Sequence, residues 1–423
     1  MNKIFVLIDC NNFFVSCERF FNPKLREKPV CVLSNNDGCV VSRSQEVKDI
    51  GVPMGAPYFK YEKILKYHKV HVFSSNFSLY GDMSNRVMKT LAHFTPEIEF
   101  YSIDEAFLPF DGFEKRDLTE YGREIKRTVY KWTGIPVSVG IGSTKTLAKV
   151  GTERAKKELA FDGVCNLLAE SDIDKELEKL PVSDVWGVGR RYTAMLKGFG
   201  INTARDLKYQ KDEWIKRKMT IAGLNMVHEL RGKPRFELSE TPEPKKQILC
   251  SRSFGKKVAE LKKLKEAAAT HATHAAEKLR EQHSVAEMVS VFVATGKHEK
   301  NFRYSNVATV PLSEPTADSR EIIKAAVTGL EQIYKKGYWY KKVGVFLTRL
   351  SFDTPMQQTL FAKDHYGKKK RNLMKAIDSI NNEFGSDTMQ FAASGTHKSW
   401  KGKSEKKSKR YTTRWDELLV AKG

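Results

Sequence analysis

Two carboxylates stand side by side in the run Tyr101-Ser102-Ile103-Asp104-Glu105-Ala106. Ile98-Glu99-Phe100 precedes it and Phe107-Leu108-Pro109-Phe110 follows. Both flanks are rich in β-branched and aromatic residues, so the pair is predicted at a turn between two strands. An unpaired charge is costly to bury in such a place, and a divalent cation would offset that cost. A third carboxylate, Asp9, closes the short apolar run from Lys3 to Ile8, which reads as a buried strand. One carboxylate at a strand end and two on a neighbouring turn make an oxygen cage suited to Mg²⁺ with phosphate ligands. Two Mg²⁺ ions in such a cage can hold both the attacking and the leaving oxygen of a phosphoryl transfer. A solvated Asp-Glu turn is the ordinary alternative, so the surroundings must decide.

The elements that would position these groups can be read in order. Asn11-Asn12 can cap a helix carrying Phe13, Phe14, Cys17, Phe20 and Phe21. Adjacent phenylalanines cannot both face a core from one helix. One of Phe13 and Phe14 is therefore expected inside and the other turned toward a pocket. Pro29 to Leu33 and Val40 to Arg43 read as strands, and Ser44 to Lys48 starts a helix that stops at Gly51. Ser78 to Phe94 has helical spacing, as does about Thr119 to Trp132. Val137 to Gly142 is a strand that opens into a hydroxyl-capped helix at Ser143-Thr144-Lys145. Strand, long helix, hairpin, helix, strand predicts an α+β sheet with two helices on one face.

Asp9-Cys10-Asn11-Asn12-Phe13-Phe14-Val15-Ser16-Cys17-Glu18, followed by Tyr101 to Ala106, resembles the Y-family, or translesion, DNA polymerases. Ser34-Asn35-Asn36-Asp37-Gly38-Cys39 and Ser74-Ser75-Asn76-Phe77 are similar to the UmuC branch, the polymerase V subunits and their plasmid-borne relatives. The resemblance implies a multidomain right-hand polymerase. Its ferredoxin-like palm would span 1–10 and 81–168, its small fingers 11–80, and its helical thumb 169–233. A linker at 234–245, a little finger at 246–352 and a tail at 353–423 would follow. The implied activity is error-prone, template-directed synthesis past damaged bases in the SOS response, without proofreading. Carried over position by position, Asp9, Asp104 and Glu105 are the catalytic carboxylates, and with Cys10 they hold two Mg²⁺ ions. Phe14 is the steric gate against a ribose 2′-OH, where relatives often have tyrosine. Ser42, Lys48 and Lys156 face the triphosphate. Gln45 and Lys48 stand where many relatives pair tyrosine with arginine, and lysine lacks the planar fork of arginine. A solvated helix face is the alternative for both lysines.

Leu180-Pro181-Val182-Ser183-Asp184-Val185-Trp186-Gly187-Val188-Gly189-Arg190-Arg191 carries a helix-hairpin-helix signature. Its Gly187-Val188-Gly189 turn would let main-chain N–H groups approach a DNA phosphate at a helix start, with Arg190 beside them. Such contacts position DNA without reading its sequence. Pro234 to Pro244 reads as a linker. Beyond it, strands are expected at Ile248 to Phe254, Val289 to Val293 and Lys342 to Leu347, with helices at Leu261 to Gln282 and Ser319 to Tyr334. This module resembles the little finger, and Arg252 and Lys256 are the expected backbone contacts. Gln357-Gln358-Thr359-Leu360-Phe361 resembles the motif by which bacterial polymerases bind the sliding clamp (beta), through Gln357, Leu360 and Phe361. Packing back on its own domain is the alternative. From Lys398 to Arg414, eight Lys/Arg stand against Glu405, which predicts a mobile segment. Tyr411-Thr412-Thr413-Arg414 resembles the end of the UmuC branch, where accessory subunits of the UmuD type dock; a RecA filament is the further expected partner.

Composition agrees with this reading. A chain of 423 residues is too long for one core. Its net charge of +22 calls for a polyanion, nucleic acid before anionic membrane. The apolar run before Asp9 is too short for a signal peptide or a membrane span. Six cysteines without a CxxC pair predict reduced thiols of a cytoplasmic protein rather than zinc ligands. Two other readings compete: a nucleotidyl cyclase, and a non-catalytic DNA-binding subunit recruited by the clamp. A cyclase needs neither a helix-hairpin-helix nor a basic third domain, and the second reading leaves the three carboxylates unexplained.

Overall fold

A computed structural model describes residues 3–113, 115–239, 243–296, 303–353 and 368–419. The chain divides into two compact units. One comprises 1–34, 38–242 and 406–423, and the other 35–37 and 243–405.

In the first unit the elements run β1 (Phe5–Cys10), α1 (Phe13–Phe21), β2 (Val30–Leu33), β3 (Val40–Arg43), α2 (Gln45–Asp49), α3 (Tyr58–Tyr67), β4 (His71–Ser74) and α4 (Phe77–Leu91). There follow β5 (Glu99–Phe100), β6 (Glu105–Pro109), α5 (Leu118–Thr133), β7 (Val137–Gly142), α6 (Lys145–Lys157) and β8 (Val164–Leu167). Last come α7 (Glu170–Lys179), α8 (Arg190–Gly198), α9 (Ala204–Lys208) and α10 (Asp212–Leu230).

The main sheet has the order β5-β6-β1-β7-β8, with β1 in the middle and antiparallel to both neighbours. All six β1 residues are buried, because both sheet faces are covered. Ile4, Val6, Ile8 and Cys10 face a core shared with Leu79, Met83 and Val87 of α4 and Ile125 and Val129 of α5. That is the expected pair of helices on one face. Residues of the opposite parity, Phe5 and Leu7, meet Phe107 and Ala148, so α6 lies on the other face. α6 approaches so closely that a Cβ on Gly140 would sit 2.0 Å from the Ala148 carbonyl oxygen. β2, β3 and β4 form a separate sheet of order β3-β2-β4, which leaves β4 at an edge.

Side chains fix some helix starts, those at Asp117, Thr144, Thr203 and Asp318. Thr144 accepts from the Leu147 N–H, as its hydroxyl predicts. α1 differs. Asn12 sits at its start with φ +46° and no side-chain cap, and Asn11 instead accepts from the Ser138 hydroxyl. Asparagine tolerates the left-handed region, so the tight exit from β1 takes precedence over capping.

The second unit contains β9 (Ile248–Val258), α11 (Leu261–Glu281), β10 (Ser284–Thr295), β11 (Ser305–Thr316), α12 (Ser319–Ile333), β12 (Tyr340–Phe352) and α13 (Lys368–Phe384). Its sheet has the order β11-β10-β12-β9. Alanines of α11 pack with Ile322, Ala326 and Leu330 of α12 over Val289, Val291, Val343 and Val345 of the sheet. Two expectations need correction here. The segment after 352 is more than a tail, since α13 is docked by a bidentate ion pair from Arg280 to Asp378, 2.6 Å on each arm. The basic stretch from Lys398 is also placed: Trp400 is buried beside Phe254 and His271, and Lys398 pairs with Asp387. Charge predicted mobility there, but the apolar anchor between the charges decides the outcome.

Candidate active site

Asp9 and Glu105 are directly opposed on the β1–β6 rung. Opposed residues of an antiparallel pair point to the same side, so both carboxylates share the α6 face. Asp104 lies just before β6, and its carbonyl accepts from the Cys10 N–H at 2.8 Å, which fixes the turn against the end of β1. α6 brings cations to this face. Lys156 Nζ is 2.7 Å from Asp9 Oδ2, and Lys149 Nζ is 3.0 and 3.1 Å from the Glu105 oxygens. Lys149 and Lys156 are seven residues apart, two helical turns, and so line one face. That spacing was the available signal for Lys149, which the sequence reading passed over. Lys149 also lies 4.6 Å over the Tyr101 ring. Trp186 joins the group through an indole N–H donated to the Tyr101 hydroxyl at 3.1 Å.

Burial pushes the Asp9 carboxyl up to about 7, and the neighbouring Glu105 adds to this while Lys156 opposes it. The Asp104 carboxylate accepts from the Ser102 hydroxyl at 2.6 Å. With Asp9 and Glu105 held by lysines and Asp104 turned onto Ser102, no three His, Cys, Asp or Glu side chains converge on one point among the described residues. The Cys10 thiol points to the opposite side of the sheet, among the apolar residues, and burial raises its pKa. Cys10 can therefore offer the site only its main-chain oxygen.

Phe13 and Phe14 part as expected. Phe13 is buried in the core, whereas Phe14 is half-buried and stacks on Tyr80, with centroids 4.5 Å apart. Lys48 is partly buried, and its pKa is lowered by that burial and then by Arg43 and Lys156 nearby. Lys48 and Arg43 thus lie near Lys156, the lysine paired with Asp9, an arrangement that favours a polyanion. Ser42 differs from expectation. Its hydroxyl is spent on the start of α1, donating to the Asn12 carbonyl at 3.3 Å with the Val15 N–H 3.4 Å away. It positions the Phe14 helix rather than presenting a free hydroxyl.

Gly187 has φ +91°, a conformation that side chains with a Cβ rarely adopt, and Gly189 immediately precedes α8. Arg190 is exposed at the helix start. α10 is tied to the catalytic half by Glu229, buried at its end, which accepts from the Thr146 N–H of α6. In the second unit Arg252 and Lys256 are exposed on the edge strand β9. Gln357, Leu360 and Phe361 lie outside the described residues.

A model of the impB/mucB/samB family matches residues 8–153, and its C-terminal domain model matches 245–360. A domain of unknown function matches 371–421. The UmuC protein of Salmonella typhimurium strain LT2 is 44% identical over 99% of this chain and 100% of its own length. The chain belongs to the UmuC family of Y-family DNA polymerases. ImpB of Salmonella typhimurium is 41% identical over 99% of this chain and 100% of its own, and MucB of Escherichia coli 37% over 99% of each. Among solved structures, a Y-family DNA polymerase chimera of Dbh and Dpo4 aligns with TM-score 0.65 at 21% identity, covering 82% of this chain and 99% of that one. The α+β polymerase fold expected from the sequence is therefore the observed one, and the chain is a translesion DNA polymerase rather than a cyclase or a non-catalytic subunit.

Y-family polymerases work with divalent metal ions. The residues here fit such ions. Asp9 and Glu105 share a rung, Asp104 is pinned beside them, and the Asp9 carboxyl, raised by burial, is the group a cation would return to its charged form. Among the described residues no helix is long and apolar enough to cross a membrane.

Proposed function

We propose that Asp9, Asp104 and Glu105 hold two Mg²⁺ ions for nucleotidyl transfer from dNTPs to a DNA primer. Bound there, Mg²⁺ would supply Lewis-acid stabilisation of the reacting phosphate oxygens. The observation that carries the reading is the rung shared by Asp9 and Glu105, faced by cations from α6. Lys156 and Lys48 draw the triphosphate toward the carboxylates, and Lys156 exchanges its contact with Asp9 for the incoming phosphate. Lys149 holds Glu105 in place. Phe14 lies under the sugar and excludes a 2′-OH by its bulk. Gly187, Gly189 and Arg190 grip a duplex phosphate, and Arg252 and Lys256 add contacts from the second unit. The partners in this reading are primer–template DNA, the sliding clamp through Gln357, Leu360 and Phe361, a UmuD-type subunit and a RecA filament, all in the cytoplasm. Primer extension with Mg²⁺ and dNTPs, comparing native protein with Asp104→Ala, tests the core of it. Native protein extends and Asp104→Ala binds DNA without extending. Near-normal extension by Asp104→Ala removes the assignment.

A further inference from the structure

The stretch Lys406–Tyr411, inside the segment matched by the domain of unknown function, is built into the same unit as the catalytic carboxylates. It joins the open edge of β4. The Ser74 N–H donates to the Lys406 carbonyl at 3.0 Å, and Ser74 forms a parallel bridge with Lys407. Asn76, fully buried at the start of α4, donates its amide to three acceptors of the stretch, the Ser408 carbonyl and hydroxyl and the Lys409 carbonyl, at 3.0 to 3.2 Å. Farther along, the Tyr411 ring stacks on Phe21 with centroids 4.9 Å apart.

The decisive contact lies between these anchors. Glu18 is 2% exposed, on α1 one turn beyond Phe14. A single oxygen of Glu18 accepts from two hydroxyls, Tyr80 at 2.7 Å and Ser408 at 2.8 Å. A buried carboxylate needs such donors, since each missing one leaves charge unsolvated. Tyr80 in turn carries the ring on which Phe14 is stacked. A continuous relay therefore runs Ser408, Glu18, Tyr80, Phe14, with every link in contact.

We propose that Lys406–Tyr411 is a positioning element for sugar selection, acting through Ser408 and Glu18 on Tyr80 and thereby on Phe14. The proposal rests on Phe14 as the steric gate. Ser408 touches no substrate. It fixes the Glu18 carboxylate, which holds the tyrosine hydroxyl and keeps its ring under Phe14. Without Ser408, the Glu18 carboxylate loses one of its two donors and resettles, Tyr80, bound to the same oxygen, moves with it, and the surface behind Phe14 shifts.

The test uses the full chain with primer–template and Mg²⁺, measuring single insertions of a ribonucleotide and its deoxy counterpart, with a melting temperature for every variant. Ser408→Ala is expected to raise the ribo-to-deoxy ratio about tenfold, the usual size of coupling between linked sites. Ser408→Thr, which keeps the hydroxyl, is expected to restore the ratio. Tyr80→Phe, which keeps the ring and folds with the least change, is expected to act as Ser408→Ala does, and the double variant is expected to show less than the sum. Phe14→Ala separates the two layers of the argument. If it leaves sugar choice unchanged, the gate assignment fails. If it relaxes sugar choice while folded Ser408→Ala and Tyr80→Phe keep the native ratio, or lose both insertions equally, the positioning proposal is overturned and the stretch only staples the fold.

Discussion

Adjacent phenylalanines on α1 have opposite expected phenotypes. Phe13 is 3% exposed within the main core, so Phe13→Ala is expected to cost about 3–5 kcal/mol of stability by chemical denaturation. Phe14 faces Tyr80 and Phe77 at the core's margin, so Phe14→Ala is expected to relax sugar choice with a smaller loss. Reversed results would shift the register on this helix by one residue. At the carboxylates, Asp9→Ala or Asp104→Ala is expected to lower extension on the order of a thousandfold or more, with DNA affinity retained, because transition-state charge loses its support. A separate expectation concerns His271, which is 4% exposed in the second unit. Burial, followed by His274, Arg252, Lys342 and Lys398 nearby, lowers its pKa from 6.5 to about 3. The unfolded chain thus takes up this proton near pH 6.5 and the folded chain only near 3. Stability from this group is complete above 6.5 and is lost as pH falls through the window. At pH 5 the loss is about 2 kcal/mol. Denaturant titrations of His271→Gln between pH 4 and 6.5 are expected to show a flatter pH dependence than the native chain; an identical slope would remove His271 from the acid response.

Elements with strong local signals match their reading closely. The helix expected at Ser78 to Phe94 is α4, Phe77–Leu91, and that expected at Ser319 to Tyr334 is α12, Ser319–Ile333. β11 is different. It carries Pro311 and Pro315, which argue against a strand, yet it lies at the sheet edge, where a missing N–H is tolerated. Edge position is a property of the assembled sheet and has no local signature. The same holds for the partners of Glu18 and Ser42, whose roles depend on residues far away in the chain. At the site, Asp9 was legible as the carboxylate closing an apolar strand, whereas Glu105, expected on a turn, opens β6, and the part given to Phe14 came from the family resemblance. Of the lysines that hold the carboxylates, Lys156 was named through the resemblance and Lys149 was passed over; their contacts with Asp9 and Glu105 required the packing of α6. Among the turns, the one before α8 needs a positive φ at Gly187. A Cβ at φ +91° stores about 1–3 kcal/mol of strain, which reshapes the turn before α8. Gly187→Ala is expected to weaken primer–template binding about fivefold or more by fluorescence anisotropy. Native affinity in a folded variant would place the turn away from DNA.

For the whole molecule, charge sets the terms of binding. A net +22 is spread over both units, with +9 of it within residues 241–350. Binding is expected to be nearly blind to sequence and to weaken with salt through counterion release. With about six phosphate contacts the loss between 50 and 200 mM salt is on the order of a thousandfold. A flat salt response would mean that the basic surface does not meet phosphate. Alanine at Gln357, Leu360 and Phe361 together is expected to leave short extension intact and abolish clamp stimulation; full stimulation would return the motif to simple packing. The strand-like stretch at 406–411 bears on how the molecule is made. Ser408 is synthesised 390 residues after Glu18. At roughly 5–20 residues per second that is a wait of roughly 20–80 s. Through that interval β4 keeps an open edge, the kind of template that invites pairing with other chains. The buried carboxylate has only its tyrosine donor. The edge of β4 and the second donor to Glu18 therefore wait for residues 406–411, which return from far along the chain to its first helix.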